Sequence, residues 1–529
     1  MNGILQTTNY KQFIILSDSG NELHRFEGAL LANKCLPGDH VIWNNKCELE
    51  LRYEHPLIVG TIELTNKSKY GFTKKHIPIY LFTPYNKSYP HFIVSCSYPT
   101  MTSNLIALVR FDNWTSTFPR GHIEQVLGSS GEYEAEKQAI MWQACPYKYP
   151  KGTYIPVSKE QERRELTGYT FHIDPPGCQD VDDVLTFEKV EEGWRVTITI
   201  SDVATYVEND GIVDIFASLI GQTLYDGVPI RPMLPKDYDI CSLLPGRKSL
   251  GISLQFLWTN EINRIKNIEW FESVFETNKS YTYDEFDREE SEYKPVLKEI
   301  ATYLYNEVEN EVENEVEDSH GWIEQMMLFY NKEAGKMLKK ANMGILRRHS
   351  APNMEKVGKY PPELKFLAFS SAEYCLAEEE SIHYGLNSEY AHASSPIRRY
   401  ADLVNQRVLK MHLRGEKYIV PIAMYDINAR AKLGKNYERD LCFLDATRFV
   451  NTCKGIILEK TVIDDNIKYK IYIPDWKKCV SVKYKIIDGV VWSKDEQREI
   501  IDTGEVNIHF TFDLNARNWK ERVIINVNE

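Results

Sequence analysis

The sequence predicts a multidomain α+β protein, a central mixed α/β region flanked by β-rich ends. Three observations lead there. The chain has 529 residues, more than one hydrophobic core supports, so about three or four domains are expected. Residues 1–130 and 451–529 read as short apolar runs broken by Gly, Pro, Asn and Asp, the pattern of strands and turns. Residues 131–450 instead alternate strand-like runs with longer segments of helical period.

Taken in order, residues 1–58 hold short strands such as Phe13–Leu16 before Ser17–Asp18–Ser19–Gly20, and Val41–Trp43 after Pro37–Gly38–Asp39. Residues 59–130 form a second β unit. Its strand Gly60–Leu64 leads into Lys67, Lys69, Tyr70, Gly71, Phe72, Lys74 and Lys75. Lysines interleaved with rings on a strand suit single-stranded nucleic acid, with cations tracking phosphates and rings stacking on bases; the competing reading is barrel core. The unit closes near Pro119–Arg120–Gly121, and Ile123–Gly131 reads as a turn before a helix, Glu132–Trp142. Strands are expected around Thr170–Ile173, Val196–Ile200 and Ile252–Leu257. A helix is expected over Trp322–Lys340, with small residues Ala334 and Gly335 at close contacts. The Glu-Val-Glu-Asn repeat before it, Asn306–Asp318, is low complexity and reads as an exposed insertion or polar helix extension. In the tail, Ile467–Ile473 alternates, and Lys477, Lys478, Lys483 and Lys485 surround Trp476. This suits a small OB-type barrel able to bind RNA.

The bulk numbers exclude several classes. Hydrophobic content of 43% and charge of 26% are ordinary for soluble globular protein. Nothing approaches a run of about eighteen apolar residues, and Met1–Lys11 lacks the pattern of a signal peptide, so a soluble, cytoplasmic or otherwise intracellular protein with no membrane partner is expected. Ten cysteines occur singly with no CxxC pair, against zinc and against a disulfide framework. The net charge of −13 does not exclude a nucleic-acid partner. The Asn306–Asp318 repeat alone holds seven acids and no base, and a local basic groove can coexist with an acidic exterior.

Two stretches carry chemistry. In the first, Asp174, Asp180, Asp182 and Asp183 fall within ten positions. Pro175–Pro176–Gly177 forces a turn, since proline fixes φ and glycine tolerates positive φ. Asp180 and Asp182 return at period two on an extended piece. Carboxylates this close cannot all ionise comfortably, and a hard divalent cation, magnesium or manganese, removes the conflict. The alternatives are a solvated acidic loop, opposed by the apolar flanks Phe171, Ile173, Val184 and Leu185, and an EF-hand, whose required glycine and glutamate are missing. In the second stretch, Ser395 as N-cap and Pro396 at the first position predict a helix start. Arg398 and Arg399 then sit in its first turn, where the helix dipole disfavours cations, which suggests an anion to be held. The alternative is an Arg399–Asp402 pair on a solvated face.

The motif Asp174–Pro–Pro–Gly–Cys–Gln–Asp180–Val–Asp182–Asp183 resembles the catalytic motif of the ribonuclease II / ribonuclease R family, which includes the catalytic subunit of the eukaryotic exosome. Thr199–Ala204, Pro232–Pro235, Leu244–Gly246, Gly344–Pro352 and His383–Leu386 through Ser395–Tyr400 continue the resemblance in the same order, and Pro119–Gly128 and Glu438–Asp440 extend it. It implies a central RNB nuclease domain (131–450) after two cold-shock-type OB barrels (1–58 and 59–130) and before a C-terminal OB-type barrel (451–529). The implied activity is processive 3′→5′ hydrolysis of single-stranded RNA to nucleoside 5′-monophosphates. It implies two Mg2+ ions, with Mn2+ as a substitute, held by Asp174, Asp180, Asp182 and Asp183, with activity depending most on Asp182. It implies that Arg398 steadies the scissile phosphate, that Tyr225 clamps the terminal nucleotides and that Glu438 lies near the RNA end. Tyr70 and Phe72 are the candidate RNA contacts of the second barrel. A monomer is expected, without docking on an exosome, since no endonuclease domain precedes the barrels. Ala391–His392–Ala393–Ser394 is smaller than the aromatic-containing family equivalent. The rival readings are a catalytically inactive RNA-binding protein on the same fold and a DNA exonuclease.

Overall fold

In β-rich sequence with long two-sided apolar strands, the sheet itself organises the core. The computed structural model describes every residue except 19, 67–69, 98–101, 159–161, 262–263, 310–315, 450–451, 477, 489, 494–495, 499–503 and 529. Lys67, Lys69 and Lys477 and the centre of the Glu-Val-Glu-Asn repeat therefore lie outside the described residues. The chain divides into two units, Lys148–Ala431 and Met1–Tyr147 with Lys432–Glu529.

The unit Lys148–Ala431 is built on a seven-stranded mixed sheet. Its strands are β1 (Arg164–Glu165), β2 (Tyr169–Ile173), β3 (Asp183–Val190), β4 (Gly193–Ser201), β5 (Lys248–Trp258), β6 (Ile265–Glu276) and β7 (Lys279–Tyr281). The spatial order is β1-β6-β5-β4-β3-β2-β7. The long central pairs are antiparallel, while the short strands β1 and β7 join β6 and β2 in parallel. One face carries Phe171, Leu185, Phe187, Val196, Ile198, Leu254 and Phe256 into the main core. Helices α1 (Tyr293–Glu309) and α2 (Ser319–Ala341) cover that face, through Leu297, Ile300, Trp322, Met326 and Tyr330. On alternate positions small hydroxyls are buried and pair with one another: Thr170 with Thr186 at 2.8 Å, Thr199 with Ser253 at 2.7 Å, and Ser253 with Ser273 at 2.8 Å. Each such pair removes the penalty of an unpartnered polar atom in the interior.

Helix α3 (Tyr400–Leu413) is buried from Tyr400 to Lys410. Its buried amides are used as backbone partners. Asn405 accepts from Ile345 N and donates to Ile345 O at 2.8 and 2.7 Å, and Gln406 donates to Ser201 O at 2.6 Å and accepts from Ala204 N at 2.9 Å. The buried Asp202 is held by Lys410 Nζ and Arg163 Nη2, both at 2.6 Å. Burial pushes its carboxyl up, but the two cations outweigh that and hold it below its ordinary range. These contacts tie α3 to the end of β4.

The expected helix start at Ser395–Pro396 is corrected. Residues 396–398 form one hydrogen-bonded turn, Arg399 is extended (φ −134°, ψ 127°), and α3 begins at Tyr400. The interruption has a visible cause: Arg399 bridges Gln222, Thr223 N donates to Arg398 O at 2.9 Å, and Tyr400 N donates to Gly221 O at 2.9 Å. Strand-like pairing captures the backbone groups that a continuous helix would use.

In the other unit, five antiparallel strands, Asn2–Thr7, Gln12–Leu16, Glu22–Glu27, His40–Trp43 and Cys47–Leu51, form one sheet. Ile58–Ile62, Ile79–Pro84, Phe92–Ser95, Leu105–Asn113 and Arg120–Ser129 close into a barrel. Here the expected turn over Ile123–Gly131 is corrected. Ile123–Ser129 instead extend the closing strand, which pairs with Leu105–Asn113 through three register shifts, and only Ser130–Gly131 form the turn before the helix. Bulges erase the two-residue alternation by which a strand is recognised. Tyr70 and Phe72 are also corrected, from a strand to the loop between Ile58–Ile62 and Ile79–Pro84, where Phe72 makes an isolated bridge to Pro78. The helix Tyr133–Ala144 follows, and a seven-stranded antiparallel sheet spans Thr452–Asn528. All ten cysteines are free, and among the described residues no helix is long and apolar enough to cross a membrane.

Candidate active site

The acidic segment is a strand end, a turn and a strand start. β2 stops at Ile173, Cys178 N closes a turn on Pro175 O at 3.2 Å, and Gly177 takes φ 79°, a conformation that favours glycine. The return leg is pinned at Val181, whose N donates to Ser242 Oγ at 3.0 Å and whose O accepts from Leu243 N at 3.0 Å. Ser201 N donates to Asp182 O at 2.8 Å, which delivers Asp182 and Asp183 to the end of β4.

Asp182 is buried, only 5% exposed. Its Oδ1 accepts from Ile397 N at 2.9 Å and its Oδ2 from Arg398 Nε at 3.2 Å. Arg398 Nη2 also donates to Ser395 Oγ at 2.9 Å, and its side chain remains 44% exposed. One end of the guanidinium is thus anchored and the rest faces outward. Burial pushes the Asp182 carboxyl up to about 7, against the opposing pull of Arg398 and of Ile397 N. The Asp183 carboxyl is pushed well up by burial and then by its neighbours Asp174 and Asp182. Asp174 Oδ2 accepts from His172 Nδ1 at 2.8 Å. Asp180 accepts the hydroxyl of Tyr225 and lies 3.7 Å from Cys178 Sγ. Burial, then Asp174 and Asp180, push the Cys178 thiol up to about 12.

The structure therefore gathers Asp174, Asp180, Asp182, Asp183, Arg398 and Tyr225 in one place. Tyr70, Phe72 and Glu438 belong to the other unit, where Tyr70 and Phe72 are 37% and 58% exposed. Arg399 is taken up by a protein partner: it pairs with Asp402 at 2.8 Å, as the alternative reading had it, but Asp402 is fully buried and Arg399 half-buried, so the pair is not on a solvated face. Sequence reasoning took Ser395 for an N-cap where it anchors Arg398, and missed His172, Ser280 and Tyr283, whose hydroxyl is pushed up to about 12 by burial, Asp174 and Asp183. Only His172 left a signal, two residues before Asp174 and so on the same side of an extended chain.

Among the described residues, no group of three or more His, Cys, Asp or Glu side chains is arranged as a ready metal cage. Three of the four carboxylates instead accept hydrogen bonds from protein donors. The donor set nevertheless fits a hard divalent cation: it is all carboxylate oxygen, and no described donor reaches the Asp183 side chain.

The chain therefore combines a mixed α/β domain carrying an acidic strand-end loop and a half-exposed arginine with a closed five-stranded barrel. The chain matches the RNB domain over residues 163–295 and 363–415 and the Dis3-like cold-shock domain 2 over residues 79–145. It is 24% identical to ribonuclease R of Buchnera aphidicola, over 92% of this chain and 75% of that protein. It is 23% identical to the human exosome complex exonuclease RRP44, over 76% of this chain and only 52% of that protein. Among solved structures, Mycoplasma genitalium RNase R in complex with ribose-methylated single-stranded RNA matches with a TM-score of 0.72 at 17% identity, covering 100% of both chains. Yeast Ssd1, a pseudonuclease, matches with a TM-score of 0.63 at 16% identity, covering 92% of this chain and 78% of that one. The chain is thus similar to ribonuclease R over most of its length and matches the RNB domain over the residues given above.

Proposed function

We propose that this protein is a processive 3′→5′ exoribonuclease that hydrolyses single-stranded RNA to nucleoside 5′-monophosphates. The observation that carries this reading is the buried Asp182 with bare Asp183 beside it and Arg398 half in solvent. RNB exoribonucleases generally depend on divalent metals, and Asp174, Asp180, Asp182 and Asp183 are the residues to hold one or two Mg2+ ions, or Mn2+ in their place. Such ions, when bound, polarise the attacking water and offset charge on the leaving 3′ oxygen. Arg398 binds the scissile phosphate with the donors left free by its Ser395 anchor, and stabilises charge that grows as the phosphorus is attacked. Tyr225 positions the terminal nucleotides, Glu438 lies near the RNA end, and Tyr70 and Phe72 are the RNA contacts of the second barrel. In this reading the chain runs, in sequence order, through two cold-shock-like OB domains (1–58 and 59–130), the RNB catalytic domain (131–450) and a C-terminal OB-type RNA-binding domain (451–529).

A catalytically inactive RNA-binding role has one observation in its favour, the engagement of Asp180 and Asp182 by Tyr225 and Arg398. One assay separates the two. With 5′-labelled oligo(A) and Mg2+, the proposed enzyme shortens the RNA stepwise and releases 5′-monophosphates, and Asp182→Asn lowers the rate by at least about a hundredfold. RNA that is bound but not shortened by the wild-type protein defeats the enzymatic reading, and equal degradation of a DNA oligomer defeats the RNA assignment.

A further inference from the structure

His172 and Ser280 form a side-chain relay onto Asp174 that the reading above does not use. β2 and β7 run in parallel with His172 directly opposite Ser280. His172 is 5% exposed, and both ring nitrogens are engaged: Nδ1 with Asp174 Oδ2 at 2.8 Å and Nε2 with Ser280 Oγ at 2.6 Å. The backbone holds the same frame, since Asp174 N donates to Tyr281 O at 3.0 Å. The chemistry of each partner assigns the protons. A carboxylate only accepts, so Nδ1 carries the hydrogen; Nε2 then holds a lone pair, and the Ser280 hydroxyl donates to it. The Asp174 carboxylate thus selects the tautomer, and the Ser280 hydroxyl, which adapts to it, holds the ring in place.

We infer that His172 and Ser280 are positioning residues of the metal site, holding Asp174 so that Oδ2 is taken and Oδ1 is presented beside Asp183. This inference rests on the metal-site reading proposed above. Asp174 directly follows β2 and Asp183 opens the neighbouring strand β3, so their charges repel, and an unbraced Asp174 would swing away into solvent, its side chain being 22% exposed. The brace resists that swing, as hydrogen-bonded outer partners do for metal-ligating side chains. It also predicts that Asp174 binds through one oxygen.

The test is Mn2+ binding to the full-length protein without RNA, followed by the electron paramagnetic resonance signal of free Mn2+, with the thermal midpoint of the metal-free protein measured alongside. His172→Leu, which removes the donor, is expected to weaken Mn2+ binding about tenfold. His172→Asn places an amide N–H where Nδ1 stands and is expected to restore binding to within about twofold. Ser280→Ala, at an exposed strand-edge position where folding is not at stake, is expected to weaken binding about threefold with an unchanged midpoint. The inference is overturned if His172→Leu and Ser280→Ala bind as the wild type does, or if His172→Asn binds no better than His172→Leu while the metal-free midpoint falls in step. Equal Mn2+ binding by the wild type and Asp183→Asn instead brings down the metal-site reading itself, and with it the brace.

Discussion

Burial and charge pull Asp182 in opposite directions, and its carboxyl at about 7 records the balance. An unfolded aspartate titrates near 3.8, so the folded protein binds a proton here that the unfolded chain has released between those values. A carboxyl raised in this way stabilises the fold below its unfolded pKa, and that contribution is lost as pH rises through about 7. The metal-free protein is therefore expected to lose stability from this group between pH 4 and pH 7. Asp182→Asn, an uncharged isostere, should stabilise metal-free protein at pH 8 by roughly 1–4 kcal/mol and change it little at pH 4, as read from denaturant midpoints. A gain of equal size at both pH values would contradict the assignment. Saturation with a divalent cation should reverse the difference at pH 8, because binding to the folded state stabilises it by mass action.

At the scale of elements, the site depends on how closely α2 approaches the segment that leads to Arg398. A Cβ on Gly335 would stand 2.8 Å from Tyr390 Cα and Tyr390 N and 2.9 Å from Glu389 C, all backbone atoms. From Tyr390 the chain runs through Ala391, whose N donates to Asn331 O at 3.2 Å, and Ala393, whose N donates to Asn331 Oδ1 at 2.9 Å, on to Ser395. The small side chains of Ala391 and Ala393, 0% and 1% exposed, fit this contact with the helix. Gly335→Ala gains about 1 kcal/mol of helix propensity, yet must push that segment aside. The net expectation is a loss of about 1–3 kcal/mol in chemical denaturation. A stabilised variant would show that the segment yields freely.

For the whole molecule, the net charge of −13 and the proposed RNA partner are reconciled by where the charges lie. In the C-terminal sheet Lys468 and Lys483 are direct cross-strand neighbours, with Lys485 two residues on, and all three are exposed. Like charges facing each other across strands destabilise a sheet. Among the described residues no acid pairs with Lys468 or Lys483, so a polyanion is the natural counterion. Replacing both with glutamine should weaken single-stranded RNA binding at low salt and reduce the slope of log affinity against log salt by about 1.4, roughly 0.7 for each lysine. An unchanged slope would place the RNA path elsewhere. The protein is expected to remain folded, since both residues lie on the outer face.

Much of this was legible in sequence because it is local. Phe171–Ile173, Pro175–Gly177 and the four aspartates are close along the chain, so strand, turn and acidic cluster follow from φ preferences and from two-residue alternation. The helix Ser319–Ala341 and its small-residue contact at Gly335 follow from apolar period and side-chain size. What only the tertiary structure decided is pairing over long separations. Asp182 meets Ile397 and Arg398, Asp180 meets Tyr225, His172 meets Ser280, and Arg399 is drawn into a bridge with Gln222 where the local signals at Ser395–Pro396 called for helix. Residue types near one another in sequence fix which chemistry is possible. Hydrogen bonds between distant segments fix which atom each carboxylate faces, because a buried polar group takes whichever partner the packed core brings within reach.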